Sequence, residues 1–208
     1  HLGIPFGSAA ATGIPVYMPW LGKKAYDGIM AAYTAASRKN GKKYIPLIKN
    51  ATQLHVIEKG AFCGVVLDGS YNLTEANYKT SLQNLVDRVL ITDKDGNQIG
   101  VVEDTAAQQK YGVVQTVYKQ EDGKDAQTEA KALLQTLEQT GSVTGCPGDS
   151  RAVSGYALIV QETTTGLFGK FYIESDTHTF TDGKHEMALT LAFSNMMDEK
   201  EIENQSQG

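Results

Sequence analysis

The sequence predicts an α+β protein: a mixed α/β region with two main helices, followed by a mostly antiparallel β-domain. Three observations predict it. First, residues 155–194 alternate with period two between turn signals. Phe171, Ile173 and Ser175 fall against Tyr172 and Glu174, and Met187, Leu189, Leu191 and Phe193 against Ala188, Thr190 and Ala192. Such alternation puts one set of side chains in a core and leaves the other for water or a partner. Second, two segments, about 23–38 and 125–138, space their apolar residues as a helix does. Third, 21 glycines and 10 tyrosines tilt the composition towards turns and strands.

Taken in order, residues 13–20 read as an extended lead-in, because Pro15 and Pro19 forbid a helix there. A helix is expected from Lys23 to Arg38, with Tyr26, Ile29, Met30 and Tyr33 as its apolar stripe and Asn40-Gly41 as its stop. Tyr44–Ile48 and Leu54–Glu58 read as strands joined by a turn at Asn50-Ala51-Thr52. Pro46 cannot donate to a ladder and so places the first at a sheet edge. Gly64–Leu67 is a further short strand. Leu82, Leu85, Val86 and Val89 have helical spacing, whereas Arg88–Thr92 reads as a strand, which is favoured for the second half. Asp95-Gly96 marks a hairpin returning through Gln98–Val102. Thr105–Lys110 makes a helical turn ended by Gly112, and Val113–Lys119 is extended again. The second main helix, Asp125–Glu138, would bury Ala126, Ala130, Leu133, Leu134 and Leu137. Gly141–Asp149, rich in Gly, Ser and Pro, reads as a domain boundary. Ala157–Val160, Phe171–Ser175 and Met187–Phe193 are then the last strands, turned at Thr165-Gly166 and Thr181–Lys184. The expected organisation is residues 1–141 as an α+β domain, 142–195 as a β-rich domain, and 196–208 as a flexible tail with little to bury.

Nineteen Lys and Arg against 24 Asp and Glu give a net charge of -5, which argues against the clustered positive footprint of a nucleic-acid binder. The pairs Lys23-Lys24, Arg38-Lys39 and Lys42-Lys43 read as the solvated face and end of the first helix. No apolar run approaches the roughly 20 residues that span a bilayer. No basic-then-apolar leader opens the chain, and a start at His1 instead of Met reads as a piece cut from a longer one. Cys63 and Cys146 lack metal-ligand spacing and read as partly buried thiols of a protein made in a reducing cytoplasm.

Several groups carry potential chemistry. His178 and His185 flank the Gly183 turn near Asp176, Asp182 and Glu186, a cluster that would suit zinc or acid–base work. The spacing matches no ligand set, and a cross-strand structural pairing is the favoured reading. Asp93, Asp95, Asn97 and Asp104 occupy positions 1, 3, 5 and 12 of an apparent calcium loop. Gln98 stands where the sharp turn needs Gly, and Asp104 is shorter than the required Glu, so a plain hairpin is the reading. Ser142, Ser150 and Ser154 sit in no nucleophile elbow, and no phosphate-binding glycine loop links a strand to a helix. The tyrosines and Trp20 are scattered and read as packing residues. The expectation is a protein with no catalytic, cofactor-binding or metal-binding residues.

Four blocks, in order, resemble proteins of the XkdQ/YqbQ type encoded by phages, defective prophages and phage-tail-like bacteriocins. They are Gly3 to Gly7 with Gly22 to Tyr33; Asn72-Leu73 with Ser81 to Val89; Lys110 to Gln115 leading into Glu129 to Leu134; and Phe171 to His178 with His185 to Leu191. That family is similar to the hubs of contractile-tailed phages and to the N-terminal region of type VI secretion spikes. The resemblance implies that the β-domain is a barrel-like tube domain. It implies a non-enzymatic hub adaptor in the virion tail baseplate, assembled in the bacterial host cytoplasm, with no nucleic-acid or membrane partner. It also implies a homotrimer of the full-length protein, joining tail tube to spike and matching the six-fold tube by presenting two tube domains per chain. The N-terminal tube domain expected ahead of the first block is missing, so the chain resembles the later part of the family's proteins. The alternatives are a cell-wall-degrading hydrolase of the tail tip and a carbohydrate-binding β-module.

Overall fold

The computed structural model describes residues 4–17 and 24–201. The end of the expected lead-in at Met18–Trp20, the helix start at Lys23 and the tail beyond Glu201 lie outside them. The order of elements is β1 (Phe6–Ala9), α1 (Ala25–Asn40), β2 (Tyr44–Lys49), β3 (Gln53–Glu58), β4 (Phe62–Asp68), β5 (Glu75–Ser81), β6 (Arg88–Thr92), β7 (Gln98–Glu103), α2 (Thr105–Tyr111), β8 (Gln115–Lys119), α3 (Ala126–Ala132), β9 (Glu138–Pro147), β10 (Ala157–Glu162), β11 (Leu167–Thr181) and β12 (Lys184–Ala192). The fold is α+β as expected, with three helices where two main ones were predicted. The chain forms two compact units, one from residues 1–78 with 141–208 and one from 79–140.

The first unit holds two sheets. In the smaller, of order β1-β3-β2, β1 runs parallel to β3 and β2 antiparallel to it. The β2–β3 turn has Asn50 and Ala51 both at positive φ (52° and 56°), the signature of the type I′ turn whose twist matches a hairpin. Pro46 sits on the outer strand, where its missing N–H costs no ladder bond. Helix α1 stops where predicted: Gly41 takes φ 72° and its N–H reaches the Ser37 carbonyl at 2.7 Å. Its buried face matches the predicted stripe only in part. Met30 is buried as expected and Ile29 and Tyr33 partly so, with Ala31, Thr34 and Ser37 buried beside them, whereas Tyr26 is 45% exposed. The aromatic rings mislead because their polar ends seek partners: Tyr26 donates to Asp198 and Tyr33 to the Ala10 carbonyl.

The larger sheet has the order β4-β10-β11-β12-β9-β5. The predicted alternation holds along β12 and on β11 as far as Ile173: Phe171 and Ile173, with Met187, Leu189 and Leu191, are buried, while a register shift after Ile173 leaves Ser175 exposed. Each such buried side chain contributes about 1.5–3 kcal/mol relative to exposure. With Val65, Leu67, Val143, Leu158, Val160 and Leu167 they make one core. The expected barrel does not form: β4 and β5 are outer strands, and the sheet is open. The Gly/Ser/Pro-rich stretch expected as a boundary is instead most of β9. Gly141, Val143 and Cys146 point inwards, and the alternation slips by one at Gly145, which takes φ 65° as a bulge glycine does. At Gly141 an added Cβ would lie 3.1 Å from Leu167 and 3.4 Å from Leu191, so these side chains pack closely over the glycine. A single division at 141 therefore does not describe the molecule, because β4, from the first third, pairs with β10 in the last.

Residues 196–201, expected to be flexible, lie along α1. Arg38 meets Glu201 at 2.6 Å, Lys43 meets Glu199 at 3.2 Å, and the Lys200 N–H reaches the Thr34 hydroxyl at 3.1 Å. None of these six residues is buried, so polar contacts hold the strap.

The second unit, inserted in the chain between β5 and β9, has a three-stranded sheet of order β7-β6-β8 with β8 parallel to β6. Val89, Ile91 and Ala130 form its core, backed by Val86, Val102, Tyr118, Ala126 and Leu134. Helix α3 ends at Ala132, short of the predicted Glu138. The Gln135 backbone leaves the helix to exchange two hydrogen bonds with Val86, at 2.9 and 3.0 Å. Leu133, placed on the buried face by its spacing, is 39% exposed as a result. Asp104 and Asp125 cap α2 and α3 through the Ala107 and Thr128 N–H groups.

Candidate functional site

The β11–β12 hairpin brings the two late histidines together. Asp182 (φ 50°) and Gly183 (φ 75°) make a type I′ turn that sets the register, pairing Phe180 with His185 and His178 with Met187. These four share the face that buries Met187 and Leu189, so the histidines sit beyond the end of the core. They are diagonal neighbours on that face. His178 Nδ1 lies 2.8 Å from His185 Nε2, and His178 Nε2 lies 3.1 Å from the Ala152 carbonyl. The His185 ring stacks on Phe180 with centroids 4.1 Å apart. Asp176 Oδ2 is 3.6 Å from His178 Nε2, while Oδ1 accepts the Ser154 N–H at 2.6 Å. Gly148 is a necessary glycine here, because a Cβ would lie 2.1 Å from the His185 ring.

Beside this cluster the 150–156 segment faces β2 and the start of β4 across a groove of about 660 Å3. Lys49, Cys63, Arg151, Ser154 and Tyr156 line it, with Ile48 and Phe62, each about half exposed, at its rim. Lys49 donates to the Tyr156 hydroxyl at 3.3 Å. Arg151 grips Asp149 through two side-chain hydrogen bonds, 2.9 and 2.6 Å. Those bonds, with the Arg151 N–H, hold the Asp149 carboxyl down at about 2. Both cysteines are free: Cys63 is half-buried at the groove, and burial pushes the Cys146 thiol up.

The remaining sequence candidates resolve into local structure. Asp93 accepts the Asp95 and Asn97 N–H groups and the Asn97 side chain, closing the β6–β7 turn. Asp104, the supposed twelfth calcium position, is the α2 cap. Ser142 lies in β9, while Ser150 and Ser154 line the groove. Among the described residues no group of three or more His, Cys, Asp or Glu is placed to hold a metal ion. Sequence reasoning paired His178 and His185 across a turn but missed both the imidazole–imidazole contact and the groove, since Ala152 and Gly148 carry no side-chain signal.

The sequence profile of the YQBQ-like family matches residues 1–192. The chain is 26% identical over 145 residues to the phage-like element PBSX protein XkdQ of Bacillus subtilis strain 168, covering 64% of this chain and 44% of that protein. The 43 kDa tail protein of prophage MuSo2 from Shewanella oneidensis has a similar fold, with a TM-score of 0.59 at 13% identity over 91% of this chain and 59% of that one. The tail protein from Neisseria meningitidis MC58 superposes with a TM-score of 0.46 at 14% identity, over 78% of this chain and 54% of that one. The chain thus spans less than half the length of the curated relative it matches. With the profile running from the first residue through the end of β12, this chain belongs to the YQBQ-like family.

Proposed function

We propose that this chain is a structural, non-enzymatic part of a phage or phage-like tail, the baseplate hub adaptor that joins a contractile tail tube to its spike. The open six-stranded sheet carries the reading: a buried core and an outer strand at each end of the sheet, β4 and β5, suit assembly with neighbouring copies. Family membership and the tail-protein names of the relatives support it. In this reading the sheet is one arc of a tube-like domain, a homotrimer of the full-length protein presents the arcs to the six-fold tube, and assembly takes place in the bacterial host cytoplasm. The contacts of His178 and His185 suit a scaffold: three of the four ring nitrogens face each other or a backbone carbonyl.

The test is the composition of purified tail particles and the solution mass of the full-length protein. Expected are the protein in the particles, at one copy for every two subunits of a tube ring, and a trimer by light scattering. Intact tails from a strain lacking the gene, or a full-length monomer, would overturn the reading.

A further inference from the structure

We propose that His178 and His185 form a proton-operated clasp that fastens the 148–154 segment to the β11–β12 hairpin and opens when both rings are charged. The geometry fixes where the protons are. A carbonyl only accepts, so His178 Nε2 carries hydrogen and donates to Ala152. In the neutral ring the other nitrogen, Nδ1, is then an acceptor, and His185 Nε2 must donate to it across 2.8 Å. His185 Nδ1 is left as the acceptor that can take a first added proton. That proton keeps every bond, and the imidazolium makes the His185-to-His178 bond charge-assisted. The second proton has only His178 Nδ1 to bind. It would set two N–H groups and two positive charges face to face at hydrogen-bond distance, and that contact does not survive. The pair therefore tolerates zero or one added proton and refuses two.

The charges that face the pair are accounted for on each side. On β11, Asp176 approaches His178. On β12, Lys184 and Glu186 flank His185. On the covering segment, Asp149 feels the His185 charge and is itself engaged by Arg151. Tyr71 lines the same depression as His185. Besides the imidazole bond to Ala152, the segment is tied to the hairpin by the Gly148 N–H to the His185 carbonyl, 2.7 Å, and the Ser154 N–H to Asp176. Ser150, Arg151, Val153 and Ser154 form one wall of the groove that holds Lys49 and Tyr156. Opening the clasp therefore loosens that wall.

The experiment is NMR on the whole chain between about pH 7.5 and pH 5, reading imidazole tautomers from ring nitrogen shifts and amide-exchange protection factors for 148–154. Expected at the upper pH are Nε2–H tautomers for both rings. Acidification should then bring proton uptake in two separated steps, with protection falling at least about tenfold only at the second. His185→Gln keeps a donor for His178 Nδ1 but takes no proton, so it should abolish the loss of protection; His178→Gln serves as a second variant should the first fold poorly. Uptake in one unsplit step, or the same loss of protection in wild type and His185→Gln, would overturn the clasp.

Discussion

Glu162 shows how one side chain can close a turn. It ends β10, where its two carboxylate oxygens take the Thr164 N–H at 2.8 Å, the Thr165 N–H at 2.7 Å and the Thr165 hydroxyl. Three donors on one anion hold its carboxyl down at about 2. The group is depressed in the folded state, so its stabilisation is complete above the ordinary glutamate value of about 4.3 and is lost as pH falls towards 2. Glu162→Gln should therefore have a lower melting temperature than wild type at neutral pH, and the gap should close between about pH 4.5 and pH 2. A gap that stays constant across that range would mean that the carboxylate charge plays no part. At this scale the helix start at Asp125 was legible, but the capping roles of Asp104 and Asp125 were not read: Asp104 stood as a calcium-loop position, although each carboxylate accepts an N–H only three residues ahead. The sequence was silent on Asp87, a 1%-exposed carboxylate whose Oδ1 accepts the Val114 N–H at 2.9 Å. That partner is distant in sequence, and nothing near Asp87 announces it.

Among elements, the β2–β3 hairpin is readable and slightly strained. Its type I′ turn needs positive φ at both central positions; Asn50 tolerates this, whereas Ala51 at φ 56° has a Cβ that resists it. Ala51→Gly should stabilise the protein by about 0.5–1 kcal/mol, the left-handed penalty less the added freedom of the unfolded chain. A denaturant-unfolding midpoint that does not rise would refute this. Elements with strong local signals came through from sequence: β11 and β12 by alternation, the end of α1 by Asn40-Gly41, and the β6–β7 hairpin by Asp95-Gly96. Those made by distant partners did not. β9 is Gly- and Thr-rich, and it is a strand because it pairs with β12 on one side and with β5 on the other. α3 loses its last turns to the Val86–Gln135 bridge, against its own helical spacing. β5, of sequence EANYKTS, is mostly exposed and has no apolar alternation to betray it.

For the whole molecule, the two cores are separate in composition. No residue of the larger core comes from 79–140, and every residue of the smaller one does. Because β5 and β9 are neighbours in the sheet, replacing 79–140 with a short glycine-containing turn should leave the remainder folded. Near-UV circular dichroism and a single cooperative melting transition are the expected readings. Loss of both would show that the large sheet depends on the insertion. The α+β class was legible because alternation and helical spacing are local, and the separation into units was not, because it rests on long-range pairings, β5 with β9 and β4 with β10.

That pairing, β4 alongside β10, has a consequence for how the chain is made. Emerging from a ribosome, β4 finds no partner until the last third has been synthesised, whereas the strand pairings of the inserted unit, β6 with β7 and with β8, lie within 79–140 and can form earlier. The insertion therefore ripens first, while Phe62, Val65 and Leu67 wait as a naked apolar ribbon, and for that interval the nascent polypeptide is most vulnerable to sticking to its neighbours.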